Sequence, residues 1–374
     1  MKKCILILLA LSSTITLAQE DEKSWYSNLG FSGSVDAYYR LNLNSYNREY
    51  DDFPYQEPGT SFANRPGFAI GMANLIFSYE GEKVGAVADL VFGPRGEDAV
   101  FLSSGNSSIV NQLYVYWNVT DRLKLTLGNW NTFLGYEVIS PTANFNYSTS
   151  YMFSNGPFSH TGIKADLTID DQWSAMLALM NPTDFTEFNP VGTYSLGGQL
   201  GYSFDSGSAF LNLLYGDQDG KLDASASDPG ESSAGATFQV DLTAGTDLTE
   251  DFYLGLNATY NTTNTDEINT AGAIEDFDGD SDTDFGFYGV AAYLQYSLSE
   301  TFALGTRAEY FEAFNGPVDA NVFAVTLSGN AKVGDLTLIP ELRLDTYDEE
   351  VILDSDFEFQ KGLASFLLAA VYSF

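Results

Sequence analysis

Short runs in which apolar and polar residues strictly alternate recur along the whole chain, and after the N-terminal segment no stretch of about eighteen apolar residues could cross a bilayer as a helix. That pattern leaves few folds open. In FSGSVDAYYRLNLN, residues Phe31, Val35, Ala37, Tyr39, Leu41 and Leu43 point one way, while Ser32, Ser34, Asp36, Tyr38, Arg40 and Asn42 point the other. One face suits lipid and the other water. Strands of this kind can sit in a membrane only as a closed sheet, because an open edge would leave backbone groups unpaired in hydrocarbon.

About sixteen such segments lie between turn residues, at 31–44, 68–79, 84–92, 111–119, 123–130, 162–169, 173–180, 194–204, 207–215, 236–246, 252–260, 285–298, 302–311, 322–333, 336–345 and 363–374. Their connections alternate in length. Tight turns follow the even segments (GEK from Gly81, TDR from Thr120, DDQ from Asp170, DSG from Asp205, LTED from Leu248, SE at Ser299, GD at Gly334), and longer polar loops follow the odd ones. Short periplasmic turns and long outer loops are the habit of outer-membrane barrels, and an even strand count closes the sheet. The expected fold is therefore an all-β, transmembrane antiparallel barrel of about sixteen strands. Pro340 interrupts LTLIPELRLD and lacks a ladder donor, so a bulge or strand end is expected there.

Composition agrees. Across 374 residues there are 23 Tyr, 28 Phe and 34 Gly but only 18% charged residues, a poor fit to soluble domains and a good one to strands with aromatic girdles. Lys2 and Lys3 precede an apolar run from Cys4 to Leu17, with small residues before Gln19, so residues 1–18 read as a cleaved signal peptide and 19–374 as the barrel. Cys4 is the one cysteine and has no lipobox before it, which argues against a lipid anchor and excludes disulfides. The polar lead from Gln19 to Asn28 is too short for a plug domain. At the other end Phe366, Leu368, Ala370, Tyr372 and Phe374 alternate up to a terminal aromatic, resembling the signal read by the barrel assembly machinery.

One connection stands apart. After Leu123, Leu125 and Leu127 the strand period stops, and it resumes only in GIKADLTI. Between lie about thirty residues, Asn131 to His160, with five Phe or Tyr between Phe145 and Phe158. Loops of that length are functional or disordered, and rings in that number are expected to pack on a surface. The GNWNTFLGYEVISP stretch followed by FNYSTSYMFSNGPFSHTGIK resembles the OmpL-like family of β-barrel porins of bacterial outer membranes. The resemblance implies a barrel and a pore, no catalytic residues, and a solute that it does not specify.

The segment is therefore expected either to fold into the bore as a constriction or to cap the rim. Candidate constriction residues are Trp130, Tyr136, Glu137, Asn144, Asn146, Tyr147, Tyr151 and His160. Facing them, the lumen-lining charged set is Asp36, Arg40, Lys124, Lys164, Asp166, Arg307, Glu309, Glu341 and Arg343, together with Asp89, Asp241, Lys332 and Asp345. These charges nearly cancel. The net charge of −35 must then sit mostly in outer loops, at 51–52, 217–231, 267–284 and 348–356, where it would concentrate cations and repel anions over a Debye length of about 8 Å. It also excludes nucleic acid as a partner.

Other candidates are weaker. Asp276, Asp278, Asp280, Asp282 and Asp284 alternate as calcium ligands do, yet Gly279 precedes the third carboxylate and Phe287 stands where an EF-hand has Glu, so a solvated acidic loop, or weak Ca²⁺ bridging to lipopolysaccharide, is expected. His160 is the one imidazole, flanked by Ser159 and Thr161, and supports no hydrolase; zinc and haem lack ligands. Tyr38 with Tyr39 and Tyr114 with Tyr116 read as girdle or wall residues before sugar platforms. The expected function is passive diffusion of small hydrophilic solutes or ions, weakly favouring cations, with a homotrimer expected by analogy to general porins. The alternative is a non-conducting surface barrel serving as adhesin or scaffold.

Overall fold

The computed structural model describes residues 25–49, 54–190, 192–218, 236–263, 284–315 and 320–374. The signal segment 1–18, the acidic pair at 51–52, most of 217–231 and the candidate calcium ligands Asp276 to Asp282 lie outside the described residues. Among the described residues sixteen strands pair antiparallel into a closed barrel, each beside its neighbours in sequence. They are β1 (Leu29–Asn42), β2 (Gly67–Glu80), β3 (Val84–Phe92), β4 (Val110–Asn118), β5 (Leu123–Asn131), β6 (Ser159–Thr168), β7 (Trp173–Met180), β8 (Ser195–Phe204), β9 (Gly207–Asp217), β10 (Ala236–Asp247), β11 (Phe252–Thr263), β12 (Phe285–Ser299), β13 (Phe302–Phe314), β14 (Ala320–Val333), β15 (Leu336–Tyr347) and a closing strand, Gly362–Ser373. The seam forms between β1 and the closing strand, from Ser34 opposite Ser373 to Asn42 opposite Ser365. Gly33 and Phe374 exchange both backbone hydrogen bonds beyond it, at 3.0 Å each.

The alternation read from sequence becomes two surfaces. Leu177, Ile70, Leu127 and Leu196 stand outward and exposed, while Ser34, Asp36, Arg40, Asn74 and Asn212 point inward and are buried. Ring pairs gather near the tight turns, as Phe31 with Phe77 at 5.0 Å and Trp173 with Tyr202 at 4.7 Å, and again near the outer ends, as Tyr39 with Phe68 at 4.9 Å. These are the two interfacial belts of a membrane barrel. The turns share a device: a Thr, Asp or Ser side chain accepts the N–H that opens the next strand. It is seen at Thr120 to Leu123 (3.0 Å), Asp170 to Trp173 (2.8 Å), Thr249 to Phe252 (3.1 Å) and Ser299 to Phe302 (3.1 Å).

Pro340 departs from expectation. It lies inside β15 with no bulge and no strand end: Ser328 pairs with Glu341 and Ala331 with Leu338 in unbroken register. Pairing towards β14 lapses at the residues between, and on the other side Pro340 still stands opposite Leu368. The missing donor is accommodated by opening the ladder locally, with the ring exposed on the lipid side.

Candidate functional site: the segment across the bore

The 131–160 segment enters the barrel. It leaves β5, crosses the lumen, forms a single helical turn at Tyr151–Asn155 and rejoins the wall at β6. Residues 146–153 are all buried. Ser150 caps the turn by accepting the Phe153 N–H at 3.1 Å, and Asn144 staples the preceding bend by donating to the Val138 carbonyl at 2.6 Å and accepting its N–H at 3.0 Å. The segment is thus shaped locally before the wall holds it.

The wall of β13 to β15 holds it by charge. The Arg307 guanidinium pairs with Glu137 at 2.5 Å and also donates to the Ser148 carbonyl at 2.8 Å and the Thr149 carbonyl at 3.2 Å. Glu137 in turn accepts the Ser150 N–H at 2.7 Å. Arg343 is gripped by Asp345 at 2.8 Å, donates to the Thr149 carbonyl at 2.8 Å and lies over the Tyr151 ring at 5.4 Å. Glu309 accepts the Tyr151 and Met152 N–H groups at 2.9 and 2.8 Å, and Glu341 accepts the Tyr147 N–H at 3.0 Å and the Ser148 hydroxyl. Burying such groups is costly unless each is paired and hydrogen-bonded; here every charge has a partner, and the Arg307 Nε is left without one.

The expected constriction sets Glu137 opposite the wall residues Arg40, Arg307 and Arg343, and the structure closes the distance to one of them. Arg307 and Glu137 are in contact and hidden, at 0% and 3% side-chain exposure, so neither charge is presented to a passing solute. Arg40 is likewise buried, donating to the Asn64 carbonyl at 2.9 Å. Asp36 accepts the Tyr147 hydroxyl and the Met72 N–H. Tyr151 donates to Asp345 at 3.1 Å and meets Tyr347 at 2.8 Å, and Asn146 donates to Ser328 at 2.7 Å. The loop and wall residues singled out in the sequence are brought together as tethers.

A second group stays apart from this network. Lys124, Lys164 and Asp166 line the inner side of the β4–β6 wall, with Lys164 and Asp166 3.4 Å apart and Lys164 5.5 Å from the Trp130 ring centre. Trp130 packs with Leu134, Met176, Ala178, Met180 and Leu214 and borders the same inner cavity as Lys124 and Lys164. His160 is fully buried, 3.0 Å from the Thr132 hydroxyl, with the Phe133 ring at 5.0 Å. Of the candidate calcium set only Asp284 is described; its carbonyl accepts from Asn315 at 3.0 Å.

Sequence reasoning missed two features. The first is that the chain after β1 and after β3 also folds inward: Arg95 donates to the Ile139 carbonyl at 2.8 Å and the Tyr147 carbonyl at 3.2 Å, and its guanidinium lies 4.7 Å from the Phe62 ring. The second is a set of wall glycines that leave notches for the segment's side chains. Tyr136 fills the notch at Gly255 and stacks on Tyr293 at 4.1 Å, and Met152 fills the one at Gly289. Tyr147 lies against Gly71, Phe133 against Gly197 and Phe145 against Gly305; a Cβ at any of these would overlap its occupant. Glycines at inward phase within otherwise regular strands were the available signal.

At the outer rim Asp184, in the connection after β7, accepts the Phe158 and Ser159 N–H groups at 2.8 and 2.9 Å. Desolvation pushes its carboxyl up to about 6, against the lowering effect of those two donors.

No curated protein matches the sequence. Solved structures that share the fold include three outer-membrane channels and proteins. An anion-selective porin from Comamonas acidovorans aligns at a TM-score of 0.59 and 12% identity, covering 92% of this chain and 99% of its own. The outer membrane channel DcaP of Acinetobacter baumannii gives 0.59 and 13%, covering 96% and 100%. OmpT, an outer membrane protein of Vibrio cholerae, gives 0.54 and 11%, covering 92% and 97%. The family model described as "Putative beta-barrel porin-2, OmpL-like" matches residues 28–374, which takes in every strand of the barrel. With its closed barrel, its two aromatic belts and a match running to its last residue, the chain belongs to the OmpL-like family of outer-membrane β-barrel porins.

Proposed function

We propose that this porin passes small hydrophilic solutes or ions by passive diffusion and favours cations weakly, with the 131–160 segment setting the size limit. The observation that carries this reading is the segment's position across a bore whose wall is polar. The buried pairs Arg307–Glu137 and Arg343–Asp345 cancel internally, so the charge that a solute meets first is the acidic excess of the outer loops, 51 Asp and Glu against 16 Lys and Arg in the whole chain. Outward loops carrying Asp348, Glu349, Glu350 and Asp356 contribute to it. That excess would also draw divalent cations and, through them, lipopolysaccharide. A homotrimer, recognition by the barrel assembly machinery and the absence of enzymatic activity complete the reading.

A second reading is favoured by one feature. The segment touches the wall from β1 round to β15, through Asp36, Met180, Asp241, Tyr253, Glu309 and Asp345 among others, as a barrel held shut for adhesion or scaffolding would have it. Planar-bilayer recording on the refolded protein separates the two. Stepwise current is the expected outcome; silence at all voltages would leave the scaffold. Reversal potentials in asymmetric salt then test the cation preference, which a value of zero would retire.

A further inference from the structure

Two cavities lie on opposite sides of the crossing segment beside β8 to β11. The outer one, about 340 Å³, is floored by Leu214, Gln239 and Asn261; the inner one, about 480 Å³, is roofed by Phe210 and Thr243. Register shows how little separates them. Leu214, Gln239 and Asn261 form one row across β9, β10 and β11, and Phe210, Thr243 and Asn257 form another. Between these rows stands a single inward row, Asn212, Asp241 and Thr259, so the two linings lie about 14 Å apart along the strand.

The opposite wall is different. There, along β2, an outer cavity of about 270 Å³ reaches Gly71 and an inner one of about 380 Å³ starts at Ser78, the inner one climbing further on β4 and β5 to Gln112 and Asn131. The span on β2 is roughly 24 Å of strand. It is filled by Met72, packed with Phe62, Val91 and Phe153, and by Asn74, which donates to Asp89.

The thin partition is built around one carboxylate. Asp241 is fully buried and accepts from Asn212 at 2.9 Å, Asn257 at 2.7 Å and the Thr259 hydroxyl, all wall groups, and from the Gly135 N–H at 2.9 Å, which belongs to the segment. None of the nine residues in the three rows is basic. We propose that the permeation path follows β9 to β11 and that Asp241 is its selectivity residue, a cation taking the place of the Gly135 N–H as it passes. An anion at the same point meets a negative charge with no basic side chain beside it, whereas a cation is drawn to the carboxylate that the Asn212 and Asn257 amides hold in place. The inference rests on the porin reading and locates its selectivity.

The test is reversal potential in asymmetric KCl for the refolded full-length protein, for Asp241→Asn and, as a control on the thick partition, for Asp89→Asn. A fall of at least threefold in the cation-to-anion permeability ratio is expected for Asp241→Asn and none for Asp89→Asn. Wild-type channels whose ratio is unchanged by Asp241→Asn, or is moved more by Asp89→Asn, would overturn the path; wild-type silence would overturn the porin reading itself. Should Asp241→Asn fail to fold, single cysteines at Gln239 and Thr243 in a Cys4→Ala background report independently. Current loss on adding a membrane-impermeant thiosulfonate supports the path, and undiminished current at both positions overturns it.

Discussion

The β13–β15 wall and the β9–β11 wall hold the same segment in opposite ways. On the first, two arginines and three carboxylates distribute bonds over the stretch from Glu137 to Met152, so releasing any one contact leaves the rest. On the second, the polar grip is one backbone N–H on Asp241 and a hydroxyl pair, Tyr136 with Tyr253 at 2.8 Å, beside apolar packing of Leu134 on Leu214. A segment fixed firmly along one side and lightly along the other is a flap with its hinge on β13–β15. The proposed path lies on the lightly held side, where fewer contacts have to be broken for the segment to give way.

The largest expected effect comes from removing the flap. Deletion of 141–158 should raise single-channel conductance severalfold in planar bilayers; unchanged conductance would mean that another part of the chain limits flow. Next is the hinge. Arg307→Met leaves Glu137 buried without its partner, a loss of about 3–5 kcal/mol. It should lower the temperature at which the barrel unfolds in detergent and make open-channel current noisy, and Glu137→Gln added to it should recover part of the loss. Filling a notch should do less: Gly289→Leu displaces Met152 at a cost of about 1–3 kcal/mol, seen as a small drop in the same unfolding temperature with conductance near wild type.

The smallest effect concerns pH. Asp184 has a folded-state value near 6, above the usual carboxylate value of 3.8, so protonation favours the folded rim: its contribution is fully present below about pH 4 and is lost as pH rises through 6. Proteolysis of the rim at Asn181 to Phe188 should therefore be slower at pH 5 than at pH 7, and Asp184→Asn should flatten the difference. A rim that is more readily cut at pH 5 would contradict this.

Most of the strand layout was legible because the two-residue period and the alternation of turn and loop lengths are local properties; β3 and β7 fall on the same residues in the sequence reading and in the structure. Pro340 was misjudged because a ladder can lapse for two residues without shifting register, which no local rule reveals. For the segment, the residue types were legible and their partners were not. Arg307 and Glu137 lie 170 positions apart, and only the crossing geometry decides whether they face each other over water or touch. Arg95 escaped notice for the same reason, since nothing in GPRGEDA says that its side chain turns beneath Tyr147.

The notches carry a consequence for sequence drift. Three staves of the cylinder each leave room for one guest from a single ribbon, 255 for Tyr136, 289 for Met152 and 305 for Phe145, while at 71 and 197 Tyr147 and Phe133 share the space with Asp36 and Met180 of the wall. Enlarging a host residue alone evicts its guest, and shrinking a guest alone leaves a hole, so tolerated changes should come in couples of compensating size. Pore width in descendants of this chain would then shift in discrete steps, by joint exchange of host and guest.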